Sequence, residues 1–111
     1  MKLEDLAKAL NLDVKAGKTL LEREVTGGYA GDLLSDVLAN SKKGNIWITL
    51  HTHVNIVAVA SAKELSGIIT VNGRIPEEET LQRAEKEGIP VMVTSVSAYQ
   101  VVCRLYDLGV R

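Results

Sequence analysis

The sequence predicts a single α/β domain, residues 1–111, whose mostly parallel sheet is flanked by helices. The 111 residues suit one domain and are too few for two. Segments with the two-residue period of strands alternate with segments of helical period, an order typical of parallel strands joined by right-handed helical connections. With 46% hydrophobic and 24% charged residues, the composition is that of a globular protein.

The first segment predicts an amphipathic helix followed by a turn. Leu3, Leu6 and Leu10 recur at helical spacing, so we expect a helix that ends near Asn11. Gly17 then marks a turn.

A short strand and a second helix are predicted next. Val25–Thr26 is expected to be a strand that runs into a glycine turn at Gly27–Gly28. Asp32 is expected to cap the second helix, because an aspartate oxygen accepts a hydrogen bond from the first free N–H groups. Gly44–Asn45 ends this unit, and its expected core residues are Leu33, Leu34, Val37 and Leu38.

The middle of the chain predicts a β-α-β unit. Ile46, Ile48 and Leu50 alternate with other residue types, the pattern of a strand with one face more buried than the other. Residues 54–65 are apolar and rich in alanine, and their length favours a helix. Residues 68–71 follow as a second strand.

The clearest helix start is Pro76 followed by three glutamates, Glu77–Glu79. Proline suits the first helical position, and carboxylates meet the positive end of the helix dipole. Gly88 and Pro90 are expected to end this helix.

A short buried strand, Val91–Val93, and a last helix complete the chain. Ser95 or Ser97 is expected to cap this helix. Its expected core-facing residues are Ala98, Val101, Val102, Leu105 and Leu108.

Charge and hydropathy exclude several classes of partner. The formal net charge is -1, which leaves no electrostatic surplus for binding nucleic acid or an anionic membrane. No apolar run has the length of a signal peptide or a membrane span, so we expect a cytoplasmic protein. We expect neither nucleic acid nor a membrane as a partner. The single cysteine, Cys103, lies among apolar residues and is expected to be a buried structural thiol.

Two glycine-containing motifs resemble nucleotide-binding loops, but a structural role is favoured for each. Ala16–Thr19 lacks the first glycine of a phosphate loop, because Leu12 stands at that position. We therefore expect a turn with Lys18 in solvent. Gly27–Gly31 lacks the spacing of a dinucleotide-binding loop and is expected to be a flexible connection.

No catalytic residue, metal site or cofactor is predicted. His51 and His53 can face one side of a strand, but no third histidine and no neighbouring cysteine completes a metal site. Glu77–Glu79 is typical of a solvated helix start rather than of an acid and base pair. The chain also lacks a recognisable set of nucleophile and base.

Polar and small residues follow three predicted strands, and they form the candidate ligand site. Ligands in open α/β sheets bind at the carboxyl ends of strands, where helix N-termini favour anions. We therefore expect a small anionic ligand at this edge. The alternative is that these residues only cap helices and close turns. The candidate residues are Thr52, His53, Asn55, Asn72, Gly73, Thr94 and Ser95.

Two stretches carry a family resemblance. Leu3–Leu12, continuing to Leu21–Val25, resembles the opening of the N-terminal domain of HPr kinase/phosphorylase. Gly67–Pro76, continuing through Gly88–Thr94, is similar to the DRTGG domain, which is found beside CBS domains in regulated pyrophosphatases and in some phosphotransacetylases. The resemblance implies one DRTGG-like domain over residues 1–111.

The chain departs from the motif that gives the DRTGG family its name. Thr52 and His53 stand nearest to the expected Asp-Arg pair, and Val71, Asn72 and Gly73 stand where Thr-Gly-Gly is expected. The glycine is kept and the charged pair is lost. The kinase domain of the HPr enzymes has no counterpart in these 111 residues. The resemblance therefore implies a regulatory or dimerising module.

The leading hypothesis is a stand-alone, non-catalytic regulatory module. We expect it to form a homodimer, to bind a small anionic metabolite or nucleotide, and to act through a partner enzyme or signalling protein. A small domain has a high surface-to-volume ratio, which leaves apolar surface for a second copy. The alternatives are a small kinase-like or transferase enzyme and an assembly domain without a ligand.

Overall fold

The computed structural model describes residues 1–111, which form five helices and five strands. The helices are α1 (Leu3–Ala9), α2 (Leu34–Asn40), α3 (Asn55–Ala62), α4 (Glu78–Glu87) and α5 (Ala98–Asp107). The strands are β1 (Asp13–Ala16), β2 (Gly27–Ala30), β3 (Asn45–Thr49), β4 (Gly67–Thr70) and β5 (Val91–Val93). None of the helices is long and apolar enough to cross a membrane.

All five strands belong to one sheet, in the order β1-β5-β4-β3-β2. Strands β2 to β5 are parallel, and β1 is an antiparallel edge strand beside β5. The predicted α/β domain with a mostly parallel sheet is therefore confirmed. The three connections between the parallel strands each contain one helix, as expected for β-α-β units.

The sheet separates two hydrophobic cores. Residues of α1 and α5 pack on one face against Ile46, Ile48 and Met92, whereas residues of α2, α3 and α4 pack on the other face against Trp47 and Ile68. Every residue of β3 is buried, so the prediction that one face of this strand is less buried is wrong. Helices cover both faces of a parallel sheet, and a central strand is then buried on both sides.

The ends of α4 and α5 agree with the sequence signals. Gly88 ends α4 in the left-handed conformation, with φ 71°, as a C-terminal glycine should. Pro76 was predicted at the first helical position, but it lies two residues before it, because Glu77 takes the N-cap position and α4 begins at Glu78. The Ser97 hydroxyl accepts a hydrogen bond from the Gln100 N–H, which identifies Ser97 rather than Ser95 as the cap of α5.

The two edge strands differ from the sequence prediction. The glycine-rich segment expected to form a turn and a flexible connection is strand β2, which pairs with β3 from Gly27 to Ala30. Val25–Thr26, expected to be a strand, precedes it. Strand β1 was not predicted, and a register irregularity between Val14 and Ala16 interrupts its pairing with β5. Neither segment carries a clear apolar alternation, so pairing with its neighbour determines its conformation.

Three predicted core positions of α5 are exposed instead. Val101 and Leu105 face the core at helical spacing, whereas Val102, Leu108 and the thiol of Cys103 are exposed. Successive residues of a helix are rotated by about 100°, so Val102 and Cys103 turn away from the face that Val101 buries. The predicted burial of Cys103 is therefore wrong.

Helix α2 also exposes two residues that were expected in the core. Leu33 is 67% exposed and Leu38 is exposed as well, while Val37 is fully buried. This seven-residue helix contacts the core chiefly through Val37, so only part of its apolar sequence is covered.

Candidate functional site

The loops after β4 and β5 meet at the carboxyl edge of the sheet. The Gly73 N–H donates to the Thr94 carbonyl oxygen over 2.8 Å, and the Asn72 N–H donates to the Val96 carbonyl oxygen over 2.9 Å. Asn72 has φ 55° and Gly73 has φ 68°, which produces the tight turn after β4. The structure thus brings together four of the seven candidate residues. They are Asn72, Gly73, Thr94 and Ser95, the last of which directly follows Thr94 in the chain.

Of the three remaining candidate residues, Thr52 and His53 lie in the connection between β3 and α3, and Asn55 is the first residue of α3. The Thr52 carbonyl oxygen accepts hydrogen bonds from the Thr80 hydroxyl at 2.7 Å and from the Glu77 N–H at 3.2 Å. The Asn55 N–H donates to Nδ1 of His53 over 3.2 Å. These contacts close the turn and attach it to the start of α4. None of the three residues lines the cleft at the loops after β4 and β5, so the structure separates them from those loops.

Asp32 does not cap α2 as predicted. One carboxylate oxygen of Asp32 accepts hydrogen bonds from the Thr49 hydroxyl and the Leu50 N–H, each over 2.8 Å. Leu33 takes the N-cap position of α2 and makes no side-chain hydrogen bond there. Asp32 therefore ties the end of β2 to the end of β3.

A cleft of about 400 Å³ opens where the loops after β4 and β5 meet α1, β1 and α5. A Cβ added at Gly73 would meet no atom within 4 Å, so the backbone of Gly73 is open for a close approach. Eleven residues line this cleft, which we call the β4–β5 cleft: Leu10, Asn11, Asp13, Lys15, Gly73, Ile75, Val93, Thr94, Ser95, Val96 and Arg104.

The charged groups of the β4–β5 cleft favour an anion. Lys15 and Asp13 form an ion pair at 2.9 Å and largely neutralise each other. Arg104 of α5 is exposed at the cleft and takes part in none of the ion pairs of the molecule. The Arg104 guanidinium is therefore free to donate hydrogen bonds to a phosphate or carboxylate.

Sequence reasoning missed Arg104, Lys15 and Asp13. Asp13 and Lys15 come from β1, which is far along the chain from both loops. Arg104 comes from α5, which follows the loop after β5 but is distant in sequence from Gly73. A basic residue on the exposed side of a predicted helix is common, and no local pattern connects Arg104 with Gly73. Only the packing of α5 in the folded protein shows that Arg104 lies at the cleft.

A larger cavity of about 600 Å³ lies at the opposite edge of the sheet. Its basic side chains already have partners: Arg23 donates to the Gly88 carbonyl oxygen at 2.6 Å, and Lys43 lies 3.7 Å from Glu64. Its other two carboxylates pair likewise, Glu24 with the chain's amino terminus and Glu87 with Arg83. The β4–β5 cleft is smaller but has an unpaired cation, so we favour it as the binding site.

The glycine-lysine turn has a structural role, as predicted. The Gly17 N–H donates to a carboxylate oxygen of Glu85 over 2.8 Å, so it faces a negative group instead of offering a place for phosphate. No group of three or more histidine, cysteine, aspartate or glutamate side chains is placed to hold a metal ion.

Comparison with solved structures supports the fold. The chain is similar to the crystal structure of the CBS and DRTGG domains of the regulatory region of Clostridium perfringens pyrophosphatase, complexed with the activator diadenosine tetraphosphate. The TM-score is 0.72 at 15% sequence identity. The fold is DRTGG-like.

The matched region covers 94% of this chain and 45% of the pyrophosphatase regulatory chain. This chain therefore spans less than half the length of that relative. No protein-family model matches the sequence, and no curated protein matches it either. The similarity to HPr kinase/phosphorylase stays a prediction.

Proposed function

We propose that this chain is a non-catalytic regulatory module that binds a small anionic ligand, of the phosphate or nucleotide class, in the β4–β5 cleft. The unpaired guanidinium of Arg104 at the rim of this cleft carries the proposal. A volume of about 400 Å³ lies in the range of small-molecule sites, about 300–1,000 Å³.

The groups around Arg104 suit the proposed ligand. The exposed Ser95 side chain offers a hydroxyl donor. Gly73 lets the ligand approach the backbone, since its Cα is open. By contrast, the first turn of α4 carries the carboxylates of Glu78 and Glu79, which repel an anion from that helix N-terminus.

The nature of the structural neighbour supports a nucleotide as the first ligand to test. The regulatory region of the Clostridium perfringens pyrophosphatase was solved with an activator, diadenosine tetraphosphate. We extend the idea of nucleotide-linked regulation to this chain as part of the proposal, together with action through a partner protein.

A thermal-shift experiment tests the proposed site. Because a ligand that binds only the folded state raises the melting temperature, diadenosine tetraphosphate or inorganic phosphate should stabilise the wild-type protein. Arg104→Ala should abolish most of that shift. The matched control is Arg83→Ala, which removes an exposed arginine on the other face of the sheet and should leave the shift intact.

Two results would contradict the proposal: no shift at millimolar concentrations of either compound, or equal shifts in wild type and Arg104→Ala. We also expect no turnover of ATP. Protein-dependent hydrolysis that persists after repurification would favour the kinase-like alternative instead.

We also propose that the module is a homodimer. Several large apolar side chains are exposed, and burial of such surface is the main driving force of association. Light scattering should give a mass near twice the 12.0 kDa of one chain. A mass of one chain across a wide concentration range would contradict it.

A further inference from the structure

The outer side of α5 carries a continuous stripe of exposed apolar residues. Tyr99 is 85% exposed and Tyr106 is 57% exposed, and Val102 and Cys103 between them are exposed as well. The core-facing residues of the same helix, Val101 and Leu105, are buried. The four exposed residues, which we call the α5 stripe, are therefore additional to the hydrophobic core.

The α5 stripe has the same pattern in both directions along the helix. Tyrosines stand at its two ends, and the apolar pair Val102 and Cys103 stands at its centre. A twofold interface joins identical surfaces. If residue i of one copy contacts residue j of the second copy, then residue j of the first copy also contacts residue i of the second. An antiparallel pair of α5 helices with its axis between Val102 and Cys103 satisfies this condition, because Tyr99 then meets Tyr106 in both directions.

A small apolar groove lies beside one end of the stripe. It has a volume of about 170 Å³, and its lining includes Val102 and Tyr106 of α5 and Tyr29 of β2. This volume is below that of small-molecule sites, about 300–1,000 Å³, but suits an inserted side chain. In the antiparallel arrangement, Tyr99 of the second copy lies next to Tyr106 and this groove. Large aromatic side chains in such pockets dominate the binding energy of interfaces.

Tyr106 is already held in place before any association. The Arg111 guanidinium carbon lies 4.4 Å from the centre of the Tyr106 ring, and Nε of Arg111 donates to the Tyr106 carbonyl oxygen over 3.3 Å. A side chain that is ordered beforehand loses less conformational entropy on binding.

The available area is consistent with a dimer of modest size. At about 200 Å² for a whole tyrosine side chain, Tyr99 and Tyr106 expose about 300 Å² per chain. Two copies thus provide about 600 Å², and specific interfaces bury at least about 1,000 Å² in total. Val102 and Cys103, which are exposed between the two tyrosines, add to this area.

We propose that the α5 stripe is the contact between two copies of this chain, packed antiparallel about a twofold axis near Val102 and Cys103. This inference rests on the homodimer of the proposed function and specifies its surface. Arg104 is rotated about 200° from Val102 around the helix, so the interface leaves the β4–β5 cleft open.

Cysteine cross-linking tests the geometry, because Cys103 is the only cysteine in the chain. A short bis-maleimide should convert most of the wild-type protein to a covalent dimer, since the two Cys103 thiols lie next to the twofold axis. The control variant, Cys103→Ser with Gln82→Cys, moves the thiol to an exposed site on α4 and should cross-link at least tenfold less. Equal yields from the two proteins would overturn the proposed surface.

A substitution separates the proposed surface from the homodimer itself. Tyr99→Ser should raise the dimer dissociation constant at least tenfold in sedimentation experiments, and it should leave folding intact because Tyr99 is exposed. Leu33→Ser, at an exposed apolar residue on the other side of the sheet, is the matched control and should leave the dimer dissociation constant unchanged. A Tyr99→Ser protein that dimerises like wild type would overturn the α5 interface alone. A wild-type protein that is monomeric at all concentrations would overturn both the interface and the homodimer.

Discussion

At the scale of single residues, Gly17 joins three parts of the molecule. Its φ of 73° lies in the left-handed region, and a Cβ at this position would come within 2.7 Å of the Pro90 Cα atom. Its N–H donates to Glu85 of α4. Glycine is therefore required where the turn after β1 contacts the connection between α4 and β5.

Replacement of Gly17 by alanine should destabilise the fold more than the same change at an open glycine. Gly109 also has a positive φ, 94°, but a Cβ there would meet nothing within 4 Å. Gly109→Ala should lower the free energy of unfolding by about 1–2 kcal/mol, because alanine disfavours a positive φ. Gly17→Ala should cost a further amount of about 1–3 kcal/mol for the forced contact with Pro90. Urea unfolding of both variants checks this, and equal losses would show that the close contact is unimportant.

Tyr29 gives a prediction about pH. Its hydroxyl donates to the Asp36 carboxylate, and this hydrogen bond raises the pKa of the Tyr29 phenol above its usual 10.0. The bond needs the protonated phenol, so its stabilisation is present below about pH 10, the unfolded pKa, and is lost as pH rises through the folded pKa. In an absorbance titration of tyrosinate, Tyr29→Phe should remove a component that ionises above pH 10. Tyr99→Phe should retain that component. If Tyr99→Phe lost the high-pH component and Tyr29→Phe kept it, the assignment of that component to Tyr29 would be wrong.

At the scale of elements, the start of α5 distinguishes two serines that the sequence left equivalent. Ser97 caps the helix through Gln100, whereas Ser95 lies in the preceding loop at the β4–β5 cleft. Ser97→Ala should cost about 1 kcal/mol of folding stability. Ser95→Ala should change stability by less than about 0.5 kcal/mol, as expected of an exposed position. Thermal unfolding of the pair measures the difference, and the reverse order would refute the assignment of the cap.

The elements that sequence patterns predicted correctly are those with strong local signals. Strand β3 has an apolar alternation, and α4 has a clear start and a glycine at its end. Strand β2 contains Gly27 and Gly28, which have low strand propensity, and it forms because β3 offers a parallel edge. The helical period of α5 was correct, but period alone does not decide whether Val102 or Leu105 faces the core. That choice depends on where the helix packs against the sheet.

At the scale of the whole molecule, the path of the chain explains where the cleft forms. The connection after β4 leads to α4 on one face of the sheet, and the connection after β5 leads to α5 on the other face. A crevice opens where neighbouring connections diverge in this way. Helices α3 and α4 lie on the same face, so no crevice opens between β3 and β4. The turn with Thr52 instead packs against α4.

The sequence thus predicted that the loops with Asn72, Gly73, Thr94 and Ser95 meet at one edge of the sheet. That these residues bind a ligand stays a prediction. It did not predict the separation of Thr52, His53 and Asn55, because the face taken by each helix is not encoded locally. Nor did it predict that Arg104 lines the β4–β5 cleft, which depends on α5 crossing to the face occupied by α1.

The most direct test of anion binding in the β4–β5 cleft is an amide NMR titration with inorganic phosphate and adenine nucleotides. We expect chemical shift changes at Gly73, Thr94 and Ser95 that saturate with ligand and are abolished in Arg104→Ala. Changes confined to the opposite edge of the sheet, near Gly44 and Gly67, or none at millimolar ligand, would contradict the proposed function.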